Sequence, residues 1–337
     1  MIDLAGHRVA LIGGAGFIGH HMAIALAERG AEVLVIDSLE VNHLMHYAAL
    51  PSEDETRDLY MRILLERLEL LDRAGVKRVR QDARDYHGLS GALSEFQPQS
   101  IVHLAAVSHA NRSNKDPFST FDHSMRTLEN ALDWARSEDL HRFVFFSSSM
   151  VYGNFETPEV SEDHPLNPIG IYGALKLGGE KLVIAYGQVF DLPYTIVRPS
   201  ALYGPRCVSR RVSQAFIESA LVGRSLRVDG EGDERVDFTY VDDVVNGAIR
   251  ILEHPAAAGE VFNMTAGKAR SLRELVENVQ CLFPEVEVEF VERDSLRPYR
   301  GTLRMDKALD VIGFAPAIEL EQGLILYVDW YHGLVAE

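Results

Sequence analysis

Apolar positions along this chain fall into two textures: short unbroken runs, and longer segments with the three-to-four spacing of a helix face. The runs Val9–Ile12, Val33–Ile36, Val76–Val79, Ile101–Leu104 and Phe143–Phe146 read as strands buried on both faces, with helix-patterned segments between them. That alternation predicts parallel strands with crossover helices, an α/β chain with a doubly wound sheet. One connection is long. Between Asp37 and Val76 an acidic stretch after Pro51 leads into Thr56–Ala74, where Leu59, Ile63, Leu64, Leu68 and Leu71 predict a helix entered through acidic residues. Plain packing explains its apolar face; cover over a ligand or a partner subunit is the alternative.

After Pro199 the texture changes. Phe216–Val222, Leu226–Val228, Leu272–Leu282 and Val286–Val291 are separated by loops rich in Gly, Pro and Arg. We expect residues 1–200 to form the sheet domain, with 235–250 returning to it. Residues 201–234 and 251–337 are expected to form a smaller mixed α/β substrate-binding domain.

The turn after the first run carries Gly13, Gly16 and Gly19, and helical periodicity follows. Such a turn seats a dinucleotide pyrophosphate on the positive end of a helix. The first glycine makes the turn, the second admits phosphate, and the third lets helix pack on strand. A flexible turn would also be rich in glycine, but the strand before, the helix after and Asp37 ending the second run select a Rossmann-type nucleotide domain. Asp37 can accept both adenosine ribose hydroxyls and repels a 2′-phosphate, which favours NAD over NADP.

Composition narrows the partners. A formal charge of −17 over 337 residues argues against nucleic acid or an anionic membrane. No apolar run reaches membrane-spanning length, and the first strand begins too early to leave room for a signal peptide. Cys207 and Cys281, far apart, make neither a disulfide framework nor a metal set, which fits a reducing cytoplasm. No metal is expected.

Tyr172 and Lys176 stand four apart, on one helix face. A phenol titrates near 10 on its own, and a neighbouring cation favours its ionised form, so Tyr172 is a candidate general base with Lys176 holding it charged. An exposed helix could show the same pair by chance. Upstream, the run Phe143–Phe146 opens into Ser147, Ser148 and Ser149, at the strand end where ligands of such sheets bind. Ser148 can polarise a substrate oxygen; a serine cluster there can also be only a turn.

The glycine turn, Asp37, His103 to Ala106, the serine strand end, the Tyr172/Lys176 pair and Arg198-Pro199 occur in one order. In this the chain resembles, over nearly its whole length, the extended short-chain dehydrogenase/reductase family, specifically its NAD-dependent nucleotide-sugar epimerases and dehydratases. The resemblance implies a cofactor surface of Gly13, Gly16, Phe17, Ile18, Gly19, Asp37, Asp82, Ala83, Leu104, Ala105, Ala106 and Pro199, with Tyr172 and Lys176 completing it. It also implies a catalytic set of Ser148, Tyr172 and Lys176. Tyr172 takes a sugar hydroxyl proton while hydride leaves the same carbon, and Ser148 stabilises the developing carbonyl.

Departures from the family pattern bear on the reaction. Ser149 and Met150 stand where dehydratases usually carry an acid pair, and Met150 stands where decarboxylating relatives commonly have glutamate. Epimerisation, most simply at C4, or a simple redox step remains. His123, Ala201 and Val236 replace two frequent asparagines and a frequent phosphate-binding arginine, and Arg235 lies one residue off. Substrate contacts are expected from Ser149, Met150, Arg206, Arg211, Arg235, Arg293 and Arg300, because guanidinium groups match a diphosphate and a sugar carboxylate. Arg210 and Arg297 share that neighbourhood; surface ion pairing is the alternative for each. His109, Asn111 and Arg112 fall on the loop bordering the sugar in this family. UDP-sugars are the favoured partners, together with a second copy of the chain. Thr120–Arg136 and Tyr172–Val189 resemble the helices that pair in family dimers, with Gly178 and Gly179 permitting close approach.

Overall fold

Five of the seven strands of the central sheet are the apolar runs read above, and each is followed by a segment that crosses back over a face. The computed structural model describes residues 1–337 except 42, 52, 53, 55, 108, 109, 295 and 337; the side chains of 110–112, 335 and 336 are also outside the description. From one edge the order is Glu260–Met264, Tyr194–Pro199, Arg142–Phe146, Ser100–His103, Arg8–Ile12, Glu32–Asp37 and Lys77–Arg80, all neighbours parallel. The order reverses between Arg8–Ile12 and Ser100–His103, and the strand ends beside that switch carry Gly13 and Leu104. Val9, Leu11, Val102, Val144 and Val197 share one core with the helices on that face. Ile12, Ile101, Phe143, Phe145 and Ile196 bury the other face.

Two expectations change here. The boundary at 251 falls too early. Glu260–Met264 pairs with Tyr194–Pro199 from Glu260↔Thr195 to Met264↔Pro199, so it is an edge strand of the large sheet. Helix Asp306–Ile312 also packs there, with Ala308, Ile312 and Phe314 in the sheet core. The third strand is not buried on both faces: Lys77–Arg80 is exposed throughout, because it forms the far edge.

The second unit has its own core of Phe216, Ile217, Leu226, Val228, Leu275 and Tyr327. It is built around the parallel pair Leu226–Asp229 and Val288–Val291, with helices Val212–Leu221, Leu272–Leu282 and Leu320–Ala336. The long connection folds as expected into helix Arg57–Arg73, whose Tyr60, Ile63, Leu64 and Leu71 are buried. The expected helix Thr120–Arg136 is present and carries a π turn. Asp122–Arg126 joins Pro117–Phe121 to Thr127–Ala135, with the Thr127 hydroxyl donating to the His123 carbonyl at 2.9 Å. Gly179 packs within this subunit: a Cβ there would meet Phe145 at 2.7 Å.

Burial in the sheet sets an acid limit on stability. His103 is fully buried, and loss of solvent, reinforced by Lys176, holds its imidazole at about 3 against the usual 6.5. Between those values the unfolded chain binds a proton that the native chain does not. Stability is therefore present above pH 6.5 and is lost as pH falls toward 3. Urea titrations across this window should show a decline of about 1.4 kcal/mol per pH unit from this residue. His103→Leu should flatten the decline, and an unaltered slope would contradict the assignment.

Candidate active site

The first strand ends in a turn that only glycine fits. Gly13 has φ +81°, and a Cβ there would lie 2.6 Å from the Ala105 nitrogen. At Gly19 a Cβ would lie 2.5 Å from the Gly14 carbonyl oxygen, so helix Phe17–Glu28 closes directly on the turn. That helix has no side-chain cap and no acid in its first turn, which leaves its positive end to an anion. Asp37 accepts from the Ala15 N–H at 3.0 Å and the Leu39 N–H at 2.9 Å, fixing both carboxylate oxygens at the cleft edge. Burial pushes this carboxyl up, opposed by those two N–H groups and Arg67.

These groups open into a cleft of about 510 Å³. Gly13, Gly16, Phe17, Ile18, Gly19, Asp37, Asp82, Ala83, Leu104, Ala105, Ala106 and Pro199 all line it, as do Ser148, Ser149, Met150, Tyr172 and Lys176. The dinucleotide reading is therefore sterically met: a cradle that a Cβ would fill, an open helix end and a fixed carboxylate in the same cleft.

One contributor escaped sequence reasoning. Arg67 is 1% exposed and reaches across from helix Arg57–Arg73 to the cleft. Its Nε donates to the Arg206 carbonyl at 3.0 Å and its Nη1 to the Ala15 carbonyl at 3.5 Å, while His43 Nε2 lies 3.3 Å from the same Ala15 oxygen. The long connection thus braces the glycine turn. The available signal was a charge on the apolar stripe, four residues after Ile63 and four before Leu71.

Strand Arg142–Phe146 delivers the serines. Ser148 caps a short helical turn, Ser149–Tyr152, accepting from the Met150 N–H at 3.2 Å. Helix Gly170–Phe190 lies against that turn because Gly173 has no side chain; a Cβ would stand 2.7 Å from the Met150 carbonyl. One helical turn separates Tyr172 from Lys176. Burial pushes the Tyr172 phenol up, and Arg211 and a hydrogen bond from Ser148 act against it. Lys176 donates to the Phe146 carbonyl at 2.6 Å and lies over the Phe145 ring; burial brings its ammonium down to about 8. Arg211 is a cation that acts against burial at the phenol.

The arginines divide. Arg211 and Arg300 line the cleft, as do Arg210 and Arg297. Arg206, Arg235 and Arg293 stand outside that lining. Arg206, at φ 63°, turns back to His20 Nε2 at 2.9 Å and Glu66 at 3.3 Å. In the two-residue strand Arg235–Val236, alternation puts Val236 in the cleft and Arg235 outside, on the Ala269 carbonyl and near Glu274. Arg293 lies over the Tyr299 ring and donates to the Arg297 carbonyl. Glu234, 5% exposed at its side chain, lines the cleft and was not anticipated. His109 lies outside the described residues, as do the side chains of Asn111 and Arg112.

A model of the NAD-dependent epimerase/dehydratase family matches residues 9–265. A UDP-glucose 4-epimerase of Mycolicibacterium smegmatis is 30% identical over 333 residues, 96% of this chain and 98% of that one. A dTDP-glucose 4,6-dehydratase of Streptomyces griseus is 30% identical over 332 residues, 96% of this chain and 94% of that one. Among solved structures, a UDP-glucuronic acid 4-epimerase from Bacillus cereus, in complex with UDP-glucuronic acid and NAD, is 26% identical with a TM-score of 0.85, covering 97% of this chain and 99% of its own. With glycine turn, carboxylate and Ser–Tyr–Lys set converging in one cleft, the chain belongs to the NAD-dependent epimerase/dehydratase family.

Proposed function

We propose that this chain is a nucleotide-sugar 4-epimerase that works through a transient keto sugar and favours a UDP-linked substrate. The observation that carries this reading is the meeting of Ser148, Tyr172 and Lys176 beside a glycine-turn cleft, with Ser149 and Met150 in the adjoining places. Bound NAD supplies reversible hydride transfer. Gly13, Gly16 and the start of helix Phe17–Glu28 would hold its pyrophosphate, Asp37 the adenosine ribose, Asp82 and Ala83 the adenine, and Lys176 the second ribose. The Tyr172 oxygen takes the proton of the sugar hydroxyl and later returns it. Ser148 donates to the same sugar oxygen as it gains carbonyl character. Neither Ser149 nor Met150 offers a carboxyl to protonate a leaving hydroxyl, so elimination of water lacks its acid.

A homodimer is supported by the apolar side chains Phe118, Phe121, Val189 and Phe190, which are exposed on helices Pro117–Phe121 and Gly170–Phe190. A reducing cytoplasm suits the free thiols of Cys207 and Cys281; no helix among the described residues is long and apolar enough to cross a membrane.

Tyr172→Phe should lower turnover by about 100-fold or more while NAD binding persists; unchanged turnover would remove the base from this residue. With the wild type, product should accumulate with no net change in the near-ultraviolet absorbance of reduced nicotinamide. A stoichiometric rise would mean one-way oxidation. Gly13→Ala should weaken NAD affinity by about ten-fold or more by fluorescence titration, since φ +81° and the Ala105 contact both oppose a side chain. Light scattering should return twice the chain mass; a monomeric mass would end the dimer proposal.

A further inference from the structure

The guanidinium groups that line the substrate end of the cleft are mostly balanced by carboxylates. Arg297 pairs with Asp229, Arg210 approaches Glu218 at 3.8 Å, and Arg227 approaches Glu289 at 3.7 Å. Arg300 approaches Glu234 at 3.7 Å, and its buried Nε has no hydrogen-bond partner among the described residues. Arg211 differs: among the described residues no carboxylate lies within ion-pair distance of it. It lines the same cleft as Ser148, Met150, Tyr172 and Arg300. Its charge opposes the upward push of burial on the Tyr172 phenol. Arg300 in turn has Nη1 at 4.0 Å from the sulfur of Met150, two residues beyond Ser148.

We propose that Arg211 and Arg300 form a seat for a carboxylate carried by the sugar itself, so that the substrate class is a nucleoside-diphosphate-linked hexuronic acid. This rests on the epimerase reading above. In a hexuronic acid the carboxyl is borne by C5, next to the carbon whose hydroxyl meets Tyr172, whereas the diphosphate leaves from C1 across the ring. Arg300, placed at Met150 two residues past Ser148, and Arg211 in the same lining therefore serve the carboxyl side. The planar fork of arginine matches a carboxylate in two parallel hydrogen bonds. Glu234 offsets one of the two guanidinium charges, which leaves one positive charge for the ligand. Met150 adds apolar surface and no charge that would repel it. In a chain of net charge −17, this local excess is what admits a substrate with a third anionic group.

The test uses NAD-loaded full-length protein with UDP-glucuronic acid and, separately, UDP-glucose, with products resolved by NMR. The uronate should be favoured in kcat/KM by roughly 100-fold, because the seat is left unfilled by a hydroxymethyl group. Arg211→Gln should erase about ten-fold or more of that preference, chiefly through KM for the uronate, while NAD affinity shows that the variant is folded. An equal loss on both sugars would assign Arg211 to the diphosphate and overturn the inference with epimerisation intact. Preference for UDP-glucose in the wild type would overturn it too. Conversion of neither sugar would count against the epimerase reading itself.

Discussion

A buried ion pair between Arg198 and Glu180 holds the catalytic end of this molecule together. Two contacts, Nη2 to Oε2 at 2.7 Å and Nε to Oε1 at 2.9 Å, join the last sheet residues of Tyr194–Pro199 to the helix that carries Tyr172 and Lys176. Both side chains are nearly without solvent, at 4% and 1% exposure. Charges so placed are tolerated only if their remaining hydrogen-bonding capacity is used. Ser147 donates to Glu180 at 2.5 Å, and Arg198 donates to the Tyr152 hydroxyl at 2.9 Å and the Glu162 carbonyl at 3.1 Å. The Tyr152 hydroxyl donates to Asn263 Oδ1 at 2.7 Å, on the edge strand. The serine strand end, the catalytic helix and two neighbouring strands are thus fastened at one point. Ser148 is one residue from that point and Lys176 one helical turn. Loss of either charge would leave the other buried and unpaired, a cost of about 3–5 kcal/mol.

That arrangement explains what could be read without coordinates. The glycine turn, Asp37, the strand runs and the Tyr172/Lys176 spacing are local patterns, each set by a period or a turn requirement within a few residues. Arg198 was visible only as a position in a familiar order; its role depends on Glu180, eighteen residues away and on another element. The edge strand Glu260–Met264 escaped because its partner, Tyr194–Pro199, lies some sixty residues earlier across an intervening unit. Arg67 escaped because a charge on an apolar helix stripe has no local explanation until the carbonyls of Ala15 and Arg206 are placed around it.

The arginines show the same limit at finer scale. Clustered guanidinium groups in an acidic chain were a sound signal for an anion site, but clustering does not say which way each points. Arg235 and Val236 are adjacent, and one sits outside the cleft while the other lines it, a difference made by strand alternation over two residues. No periodic pattern can be read from so short a segment. Arg206 faces away for a different reason: a left-handed backbone turns it toward His20 and Glu66, where it ties the glycine-turn helix to the second unit.

The electrostatics of Tyr172 connect binding to chemistry. Burial alone would keep its phenol protonated, and Lys176, with an ammonium down at about 8, is turned to the Phe146 carbonyl. The opposing influences are Arg211 and the Ser148 hydroxyl, one on the substrate side and one on the sheet. A cation that favours the ionised phenol also makes it a weaker base, since both effects follow from the same stabilisation of negative charge. An anionic group seated on Arg211 would offset that cation and return basicity to the phenol when a sugar hydroxyl stands beside it. Substrate binding and proton abstraction are thereby linked through one arginine.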